Sequence, residues 1–196
     1  GHNSQQPSNT GLSSPVQVPG TTWSIVGNGK QFKVATKTDG TLWSWGLNNN
    51  GALGLNQGGP QTYGSPKQIP GTSWGTDQCK ISCKYYGGFA IRTDGTLWGW
   101  GSNPSGALGQ NNNTRYSSPV QIPGTDWQGI FASYNCTAAI KTDGTLWTWG
   151  SGSYGTLGHN NRTSYSSPVQ VPGTYKISTA GGAGVAFNTM IGVKAV

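Results

Sequence analysis

Short runs that alternate apolar and polar residues recur along the chain, and an Asp-Gly dipeptide joins the runs in pairs. In the third copy, Ala138–Thr142 leads into Asp143-Gly144, and Thr145–Trp149 follows. Asp-Gly between two runs of β-forming residues predicts a β-hairpin with a two-residue type I′ turn, in which both central residues have positive φ. Thr36–Trp45 and Ile91–Trp100 have the same pattern and predict the same hairpin.

Two more strands are predicted around each hairpin. A short apolar segment precedes it, near Val26, Ile81 and Ile130. The pattern Ser-Pro-x-Gln-(Val/Ile)-Pro follows it and predicts a strand at a sheet edge, because proline cannot donate to a ladder. On the outgoing hairpin strand, Trp147 and Trp149 share one face, so a neighbouring sheet must bury them. Each unit is therefore predicted to be a four-stranded antiparallel blade of a β-propeller.

One unit of about fifty residues is copied along the whole chain. Three motifs keep the same order in each copy. Asp-Gly-Thr-Leu-Trp begins at Asp39, Asp94 and Asp143, Gly-x-Leu-Gly begins at Gly51, Gly106 and Gly155, and the Ser-Pro motif begins at Ser14, Ser65, Ser118 and Ser167. A repeat of this length is typical of proteins in which each unit buries its apolar face only against its neighbours.

The repeats predict a single repeat domain over 1–196, divided into three whole blades and two partial ones. The whole blades are predicted at 23–73, 74–126 and 127–174. Before them, residues 1–22 are predicted to contain an outer strand at Ser14–Pro19. After them, 175–196 is predicted to contain inner strands at Ile177–Thr179, Val185–Thr189 and roughly Ile191–Val196. The two ends complement each other and predict a composite fourth blade, which would remove open sheet edges. Closure within one chain, pairing between chains and a fragment of a longer protein all remain open.

The ordered motifs Asp-Gly-Thr-Leu-Trp-x-Trp-Gly, Gly-x-Leu-Gly and Ser-Pro-Val-Gln-(Val/Ile)-Pro-Gly-Thr resemble the regulator of chromosome condensation repeat family, especially its bacterial and phage members. The resemblance covers essentially the whole chain and implies a β-propeller, although familiar members are seven-bladed rings. Where the family often has a histidine, this chain has Phe32, Gly87, Cys136 and Ala183. The role of that histidine is therefore not carried over.

Composition narrows the classes of partner. The chain of 196 residues has a formal net charge of +7, but only 9% of its residues are charged. Its basic residues are scattered, with Lys30, Lys33 and Lys37 as the tightest group, so we expect no specific nucleic-acid groove. No apolar run approaches the roughly 20 residues of a membrane span. Cys79 and Cys83 lie too far apart to form a disulfide if both are on one strand, and Cys136 could pair with either only where neighbouring blades bring them close. No zinc spacing is present, so small buried thiols are predicted.

The sequence shows no arrangement of catalytic residues. Three of the five aspartates, Asp39, Asp94 and Asp143, occupy the hairpin turns, where Asp serves the backbone. No nucleophile elbow with a histidine and an acid, no metal-ligand set and no phosphate-binding loop is present. We therefore expect no enzyme activity, no metal and no cofactor.

Polar loops after each hairpin carry the candidate binding residues. They are rich in Asn, Ser, Thr, Tyr and Arg, which combine adaptable hydrogen bonds with rigid contact area. The candidates are Tyr63, Tyr116, Arg115, Tyr165, Arg162, Asn112 and Asn161. Packing of each tyrosine on its own blade explains their recurrence equally well. Asn112 and Asn161 also begin sequons and are the candidate glycosylation sites.

Together these patterns predict a non-enzymatic β-propeller that binds or assembles through its loops and edges. By analogy, few charges and abundant Asn, Gly and Thr favour an extracellular or virion-surface subunit of a fibre, spike or appendage. A secreted protein-binding module or enzyme inhibitor is the alternative, and guanine nucleotide exchange, implied by the resemblance alone, is less favoured. The expected partners are a protein or copies of the chain itself, with glycans as further candidates.

Overall fold

The computed structural model describes residues 14–176 and 193–194, which fold into β-strands and two short 3-10 helices. The first sheet contains β1 (Trp23–Asn28), β2 (Phe32–Lys37), β3 (Leu42–Leu47) and β4 (Thr62–Ile69). The second contains β5 (Ile81–Lys84), β6 (Gly87–Ile91), β7 (Leu97–Gly101) and β8 (Tyr116–Ile122). The third contains β9 (Trp127–Ala132), β10 (Cys136–Lys141), β11 (Thr145–Gly150), β12 (Tyr165–Lys176) and β13 (Val193–Lys194). The 3-10 helices are Asn49–Gly51 and Pro104–Gly106.

Each sheet is an antiparallel meander in which the strands pair in chain order. The predicted four-stranded antiparallel blades and the all-β fold class are therefore confirmed, and in the third sheet β13 adds a fifth strand. We number the blades 1 to 3 along the chain. The first strands of neighbouring blades lie side by side, with β1 in contact with β5 and β5 in contact with β9, and form the inner side of the assembly. No helix among the described residues has the length and hydropathy needed to cross a membrane.

The hairpin turn differs from the predicted two-residue type I′ turn. Gly40 N donates to Lys37 O at 3.0 Å, and Lys37 N donates to Thr41 O at 3.0 Å, which closes a three-residue loop. Only Gly40 has positive φ, at 77°, and Asp39 does not. This geometry is a type I turn followed by a left-handed glycine. The prediction was wrong because the Asp39 carboxylate accepts the Thr41 amide, which holds Asp39 at negative φ.

The hydrophobic core lies between the blades rather than within one blade. One cluster joins blades 1 and 2, and another joins blades 2 and 3. Fully buried members of the first include Val34, Leu42 and Trp100, and those of the second include Leu97, Ile122 and Trp149. Since each flat sheet can bury its apolar faces only against the next, stacking of blades provides most of the burial.

Tryptophans on the third strands also tie neighbouring blades together by hydrogen bonds. Trp100 Nε1 donates to Ala52 O of blade 1 at 2.9 Å, and Trp149 Nε1 donates to Ala107 O of blade 2 at 2.9 Å. Both indoles are fully buried, as the sequence predicted, whereas Trp98 and Trp147 on the same strand faces are only half-buried. The N–H groups of Trp100 and Trp149 therefore find partners only in the preceding blade.

Most of the predicted composite blade lies outside the described residues. Residues 14–22 are described and form no strand, although Ser14–Pro19 was expected to be an outer strand. The predicted segments Ile177–Thr179 and Val185–Thr189 are not among the described residues. Within the third predicted segment, Val193–Lys194 forms β13, which pairs with the end of β12 through Tyr175 and Lys176. The composite blade and the domain boundaries therefore stay predictions.

Candidate functional site

The blades carry two sets of loops at the same end, which we call the loop face. It contains the loops β1–β2, β5–β6 and β9–β10 and the long loops that follow β3, β7 and β11. Backbone hydrogen bonds join the two sets in every blade, from Leu47 N to Gln31 O, from Ser102 N to Tyr86 O and from Ser151 N to Asn135 O, at 2.8–2.9 Å. The hairpin turns lie at the opposite end because the strands alternate in direction.

The predicted asparagines and arginines lie in the long loops, and the predicted tyrosines lie at or near the first residue of the strand that follows each loop. The Tyr116 hydroxyl accepts a hydrogen bond from Asn112 Nδ2 at 3.0 Å, and the Tyr165 hydroxyl accepts one from Asn161 Nδ2 at 3.2 Å. The Tyr63 hydroxyl lies 3.0 Å from Gln61 Oε1. These contacts favour packing of each tyrosine on its own blade. The glycosylation of Asn112 and Asn161 stays a prediction.

The two predicted arginines lie in equivalent loops of blades 2 and 3. Arg115 Nη1 donates to Asn50 Oδ1 of blade 1 at 3.3 Å, so it bridges two blades. Arg162 is exposed. The structure therefore distributes the predicted residues over three blades and does not bring them together in one site.

A different group of side chains forms a continuous row across the loop face. Lys30, Tyr85 and Tyr134 occupy equivalent positions in blades 1, 2 and 3, each two residues before the second strand of its blade begins. Lys30 Nζ lies 4.3 Å from the centre of the Tyr85 ring. The Tyr85 and Tyr134 rings meet edge to face, with their centres 4.9 Å apart. Contacts of these lengths are attractive for a cation over a ring and for edge-to-face rings.

Tyr86 completes the contacts of Lys30. Lys30 Nζ lies 3.4 Å from the Tyr86 hydroxyl, and the Tyr85 and Tyr86 rings meet edge to face at 4.6 Å. Hydrogen bonds to Tyr85 and Tyr86 raise the pKa of Lys30, whose side chain remains exposed. The amine is therefore charged at neutral pH, and the row begins with a fixed positive charge.

A pocket of about 370 Å³ opens beside this row, between blades 2 and 3. Its lining residues are Tyr85, Tyr134, Asn135, Cys136, Ser151, Tyr154 and Thr156. Tyr154 is 83% exposed and Tyr134 is 40% exposed. Asn135 Oδ1 is buried and has no hydrogen-bond partner among the described residues. The pocket thus combines aromatic rings with an unsatisfied acceptor.

The long loop of blade 3 lacks a structural residue that the other two loops share. Leu53 N donates to Asn48 Oδ1 at 3.0 Å, and Leu108 N donates to Asn103 Oδ1 at 2.7 Å. The corresponding position in blade 3 is Gly152. This loop is therefore built without the asparagine side chain that organises the loops of blades 1 and 2.

Sequence reasoning missed the pocket because it selected tyrosines that recur. Tyr154 does not recur, since Asn50 and Ser105 occupy the same position in the other repeats. That difference was visible in the sequence as a large aromatic residue at the tip of a polar loop. The contact between Tyr85 and Tyr134 depends on how two blades meet.

The hairpin aspartates have a structural role in every blade. In blade 1, Asp39 Oδ1 accepts hydrogen bonds from Thr41 N at 2.9 Å and from Thr41 Oγ1 at 2.6 Å, and Thr41 Oγ1 accepts one from Trp43 Nε1 at 2.8 Å. The same Asp–Thr–Trp relay runs through Asp94, Thr96 and Trp98 and through Asp143, Thr145 and Trp147. Hydrogen bonds from threonine lower the pKa of each aspartate. These carboxylates are committed to the turns.

Three of the basic residues are also committed to structure. Each lies between two tryptophans of its own blade, with its charged group 4.5–5.1 Å from both ring centres. The groups are Lys37 with Trp23 and Trp43, Arg92 with Trp74 and Trp98, and Lys141 with Trp127 and Trp147. Since these charges stabilise the blades, they are poorly placed to form a groove for phosphates.

All three cysteines are free, but only Cys83 and Cys136 are buried as predicted. Cys79 is half-buried, because it lies in the loop before β5 and not on a strand. Burial raises the pKa of Cys83 to about 12. Lys84 is fully buried, and burial lowers its pKa to about 7. The described residues contain no group of three or more His, Cys, Asp or Glu side chains that could hold a metal ion.

Comparison with known proteins identifies related sequences. The family model for the Regulator of chromosome condensation (RCC1) repeat matches residues 39–86, 94–140 and 143–184, and a second model of this repeat matches 78–107. The chain is 32% identical over 116 residues to the RCC1 domain-containing protein RUG3, mitochondrial, from Arabidopsis thaliana. The matched region covers 57% of this chain and 25% of that relative.

Solved structures with similar folds include human WBSCR16, with a TM-score of 0.67 and 22% identity over 79% of this chain and 41% of that one. Prp20p from Saccharomyces cerevisiae, described with its binding properties to Gsp1p and histones, has a TM-score of 0.67 and 17% identity over 78% of this chain and 39% of that one. This chain thus spans a quarter of the Arabidopsis relative and about two fifths of the solved chains. With family-model matches over more than half of its residues, the chain belongs to the family of RCC1 repeat proteins.

Proposed function

We propose that the chain is a non-enzymatic binding and assembly module, which joins copies of itself or a protein partner through the open faces of its outer blades. The observation that carries this proposal is the exposure of Val26. Val26, Ile81 and Ile130 occupy equivalent positions on the first strands, yet Val26 is 57% exposed while Ile81 is 8% and Ile130 is 1% exposed. The residue at this position is buried in the core of blades 2 and 3 but is exposed to solvent in blade 1.

Contacts between blades show what such a face accepts. Asn56 N donates to Ser117 O across blades 1 and 2, and Asn111 N donates to Ser166 O across blades 2 and 3, both at 2.8 Å. The Trp100 and Trp149 indoles repeat in the same way, as described above. Trp45 is the equivalent in blade 1, and it is only half-buried. Blade 1 therefore exposes the face that, in blades 2 and 3, packs against the preceding blade.

Blade 3 presents the other half of that contact. Gly51 and Gly106 are packed against Ser117 and Ser166 of the following blade, whereas no described atom lies within 4 Å of the position that a Cβ of Gly155 would take. A blade of a second copy, or a partner with a matching edge, would bury both faces. Non-closing contacts of this type produce filaments, and closing ones produce rings.

The proposal includes that the chain is not an enzyme. In support of this, Asp39, Asp94 and Asp143 each accept hydrogen bonds within their own hairpin turns. Prp20p, a structural neighbour, is described with binding to Gsp1p and histones, which supports protein binding by propellers of this type. An extracellular or virion-surface location, with the chain as a subunit of a fibre, spike or appendage, follows from the low charge and remains part of the proposal.

Sedimentation velocity and negative-stain microscopy over a wide range of protein concentration test this proposal. We expect rings or filaments that dissociate on dilution, and we expect Val26→Asp to prevent their formation because it places a charge on the open face. Gln121→Asp is the matched control, since Gln121 is exposed on the outer strand of blade 2. A wild-type chain that stays monomeric at every concentration, or assembly that tolerates Val26→Asp, would contradict self-assembly.

A further inference from the structure

The pocket between blades 2 and 3 has the composition of a site for a neutral polar ligand. Tyr85, Tyr134 and Tyr154 provide aromatic surface, and Asn135, Ser151 and Thr156 provide amide and hydroxyl groups. The lining residues carry no acidic or basic side chain. Its volume of about 370 Å³ lies near the lower end of the range for small-ligand sites.

The Tyr154 side chain packs little against the rest of the fold. Its ring is 83% exposed, and the equivalent residues of the other long loops are the polar Asn50 and Ser105. The same loop has Gly152 in place of the asparagine cap found in blades 1 and 2. Blade 3 thus presents an aromatic ring at a loop tip, where a ring adds nothing to the buried core. Because Tyr154 also lines the pocket, its exposed ring is available to contact a ligand there.

Asn135 supplies an independent observation. Its Oδ1 atom is buried beside the pocket and has no hydrogen-bond partner among the described residues. A buried acceptor without a donor is unfavourable, and almost all such atoms in folded proteins are paired. A ligand hydroxyl in the pocket would supply the donor.

The charge beside the pocket restricts the class of ligand. Lys30 Nζ already lies 4.3 Å from the centre of the Tyr85 ring, so a cationic ligand would meet a like charge at the aromatic row. The lining itself offers no positive group to an anion. A neutral molecule with many hydroxyl groups and apolar C–H faces fits both the rings and the acceptor.

We propose that this pocket binds a neutral saccharide of one or two sugar residues. The Tyr154 and Tyr134 rings stack against C–H faces of the sugar, and Asn135 Oδ1 accepts a hydrogen bond from a sugar hydroxyl. The Ser151 and Thr156 hydroxyls border the same space and provide further polar contacts. The site lies on the loop face, away from Val26, so it does not depend on the assembly proposed above.

Titration calorimetry and saturation-transfer NMR with cellobiose, maltose, lactose and chitobiose test the site. We expect at least one of these sugars to bind, with saturation transferred to its ring protons. Tyr154→Ser, which installs the residue found at Ser105, should weaken binding about two- to tenfold, since contact with an aromatic ring is worth about that factor. Tyr154→Phe should retain most of the affinity.

Tyr63→Ser is the matched control, because Tyr63 lies near the start of β4 in blade 1, outside the pocket. It should leave the affinity for sugar unchanged. Tyr154 is largely exposed, so circular dichroism should show that Tyr154→Ser remains folded. Binding of none of the four sugars, or equal binding by Tyr154→Ser and wild type, would overturn the proposal. Binding of peptides in place of sugars, lost in Tyr154→Ser, would assign the pocket to a protein partner instead.

Discussion

Lys84 lies at the end of β5 on the inner side of blade 2, where its ammonium group is shielded from water. The side chain is 1% exposed, and Nζ donates a hydrogen bond to Ser102 O. The Phe89 ring centre lies 5.6 Å from Nζ. Burial without a carboxylate partner disfavours the charged form, which explains the fall of the Lys84 pKa from 10.5 to about 7. The residue is therefore a source of pH-dependent stability.

We expect the free energy of unfolding to rise with pH above pH 7. In the unfolded chain Lys84 keeps its proton up to about pH 10.5, whereas in the folded chain it loses it near pH 7. The unfolded state thus binds more protons between these values, which contributes a slope of up to about 1.4 kcal/mol per pH unit. Urea unfolding at several pH values from 6 to about 9 measures this slope.

Lys84→Met should remove the slope and stabilise the protein most at or below pH 7, because it replaces a buried cation by an apolar chain of similar length. Lys67→Met is the control, since Lys67 is exposed on β4. An unchanged pH profile in Lys84→Met would show that Lys84 does not titrate in this range.

The hairpin between the second and third strands is the element that each blade repeats most closely. In blade 2, Asp94 accepts hydrogen bonds from the backbone and the hydroxyl of Thr96, and Thr96 accepts one from Trp98. Trp98 in turn packs against Arg92, whose Cζ lies 4.5 Å from the ring centre. The turn, the tryptophan and the basic residue are thus coupled, so a change in the turn should be transmitted to the strand face.

Asp94→Ala should lower the free energy of unfolding by about 1–3 kcal/mol, because two hydrogen bonds to a charged acceptor are lost. The lowered pKa of Asp94 means that this stabilisation is present above the usual carboxyl pKa and is lost as the pH falls through the folded value. Asp77→Ala, at an exposed aspartate outside the hairpins, should have a smaller effect. Chemical denaturation near neutral pH compares the two. Equal losses would mean that the relay does not stabilise the blade.

The molecule as a whole depends on the close approach of successive blades. A Cβ at Gly106 would lie 2.5 Å from Ser166 Cα of blade 3, and φ of Gly106 is 72°. Gly155 has nearly the same φ, 71°, but no described atom lies within 4 Å of its Cβ position. The two glycines therefore share the backbone conformation and differ in the contact between blades.

Alanine at the two glycines separates these two effects. Gly155→Ala should cost only the strain of a left-handed residue, about 1–2 kcal/mol. Gly106→Ala carries the same strain and also pushes blades 2 and 3 apart, so its loss of stability should be at least about twice as large. Thermal and urea unfolding measure both variants. Similar losses would show that blades 2 and 3 do not approach as closely as described.

The sequence predicted the elements well because their signals are local. The Asp-Gly dipeptides, the Trp-x-Trp strands and the Ser-Pro segments each mark one part of a blade within a few residues. The type of hairpin turn was predicted wrongly, since it depends on the hydrogen bonds that Asp39 makes with Thr41. Tyr63, Tyr116 and Tyr165 were selected because they recur, and recurrence alone does not distinguish a binding residue from one that packs in its own loop.

The repeat, the strand order and the all-β class were determined by the sequence alone, because turn residues and alternating patterns act over distances of a few residues. Only the tertiary structure decided which members of a repeated set are buried and which are open. Val26 and Ile130 are equivalent in sequence, yet within residues 14–176 only Ile130 has a preceding blade that covers it. The pocket beside Tyr134 and the burial of Lys84 likewise arise where segments distant in sequence meet, and no local pattern encodes those contacts.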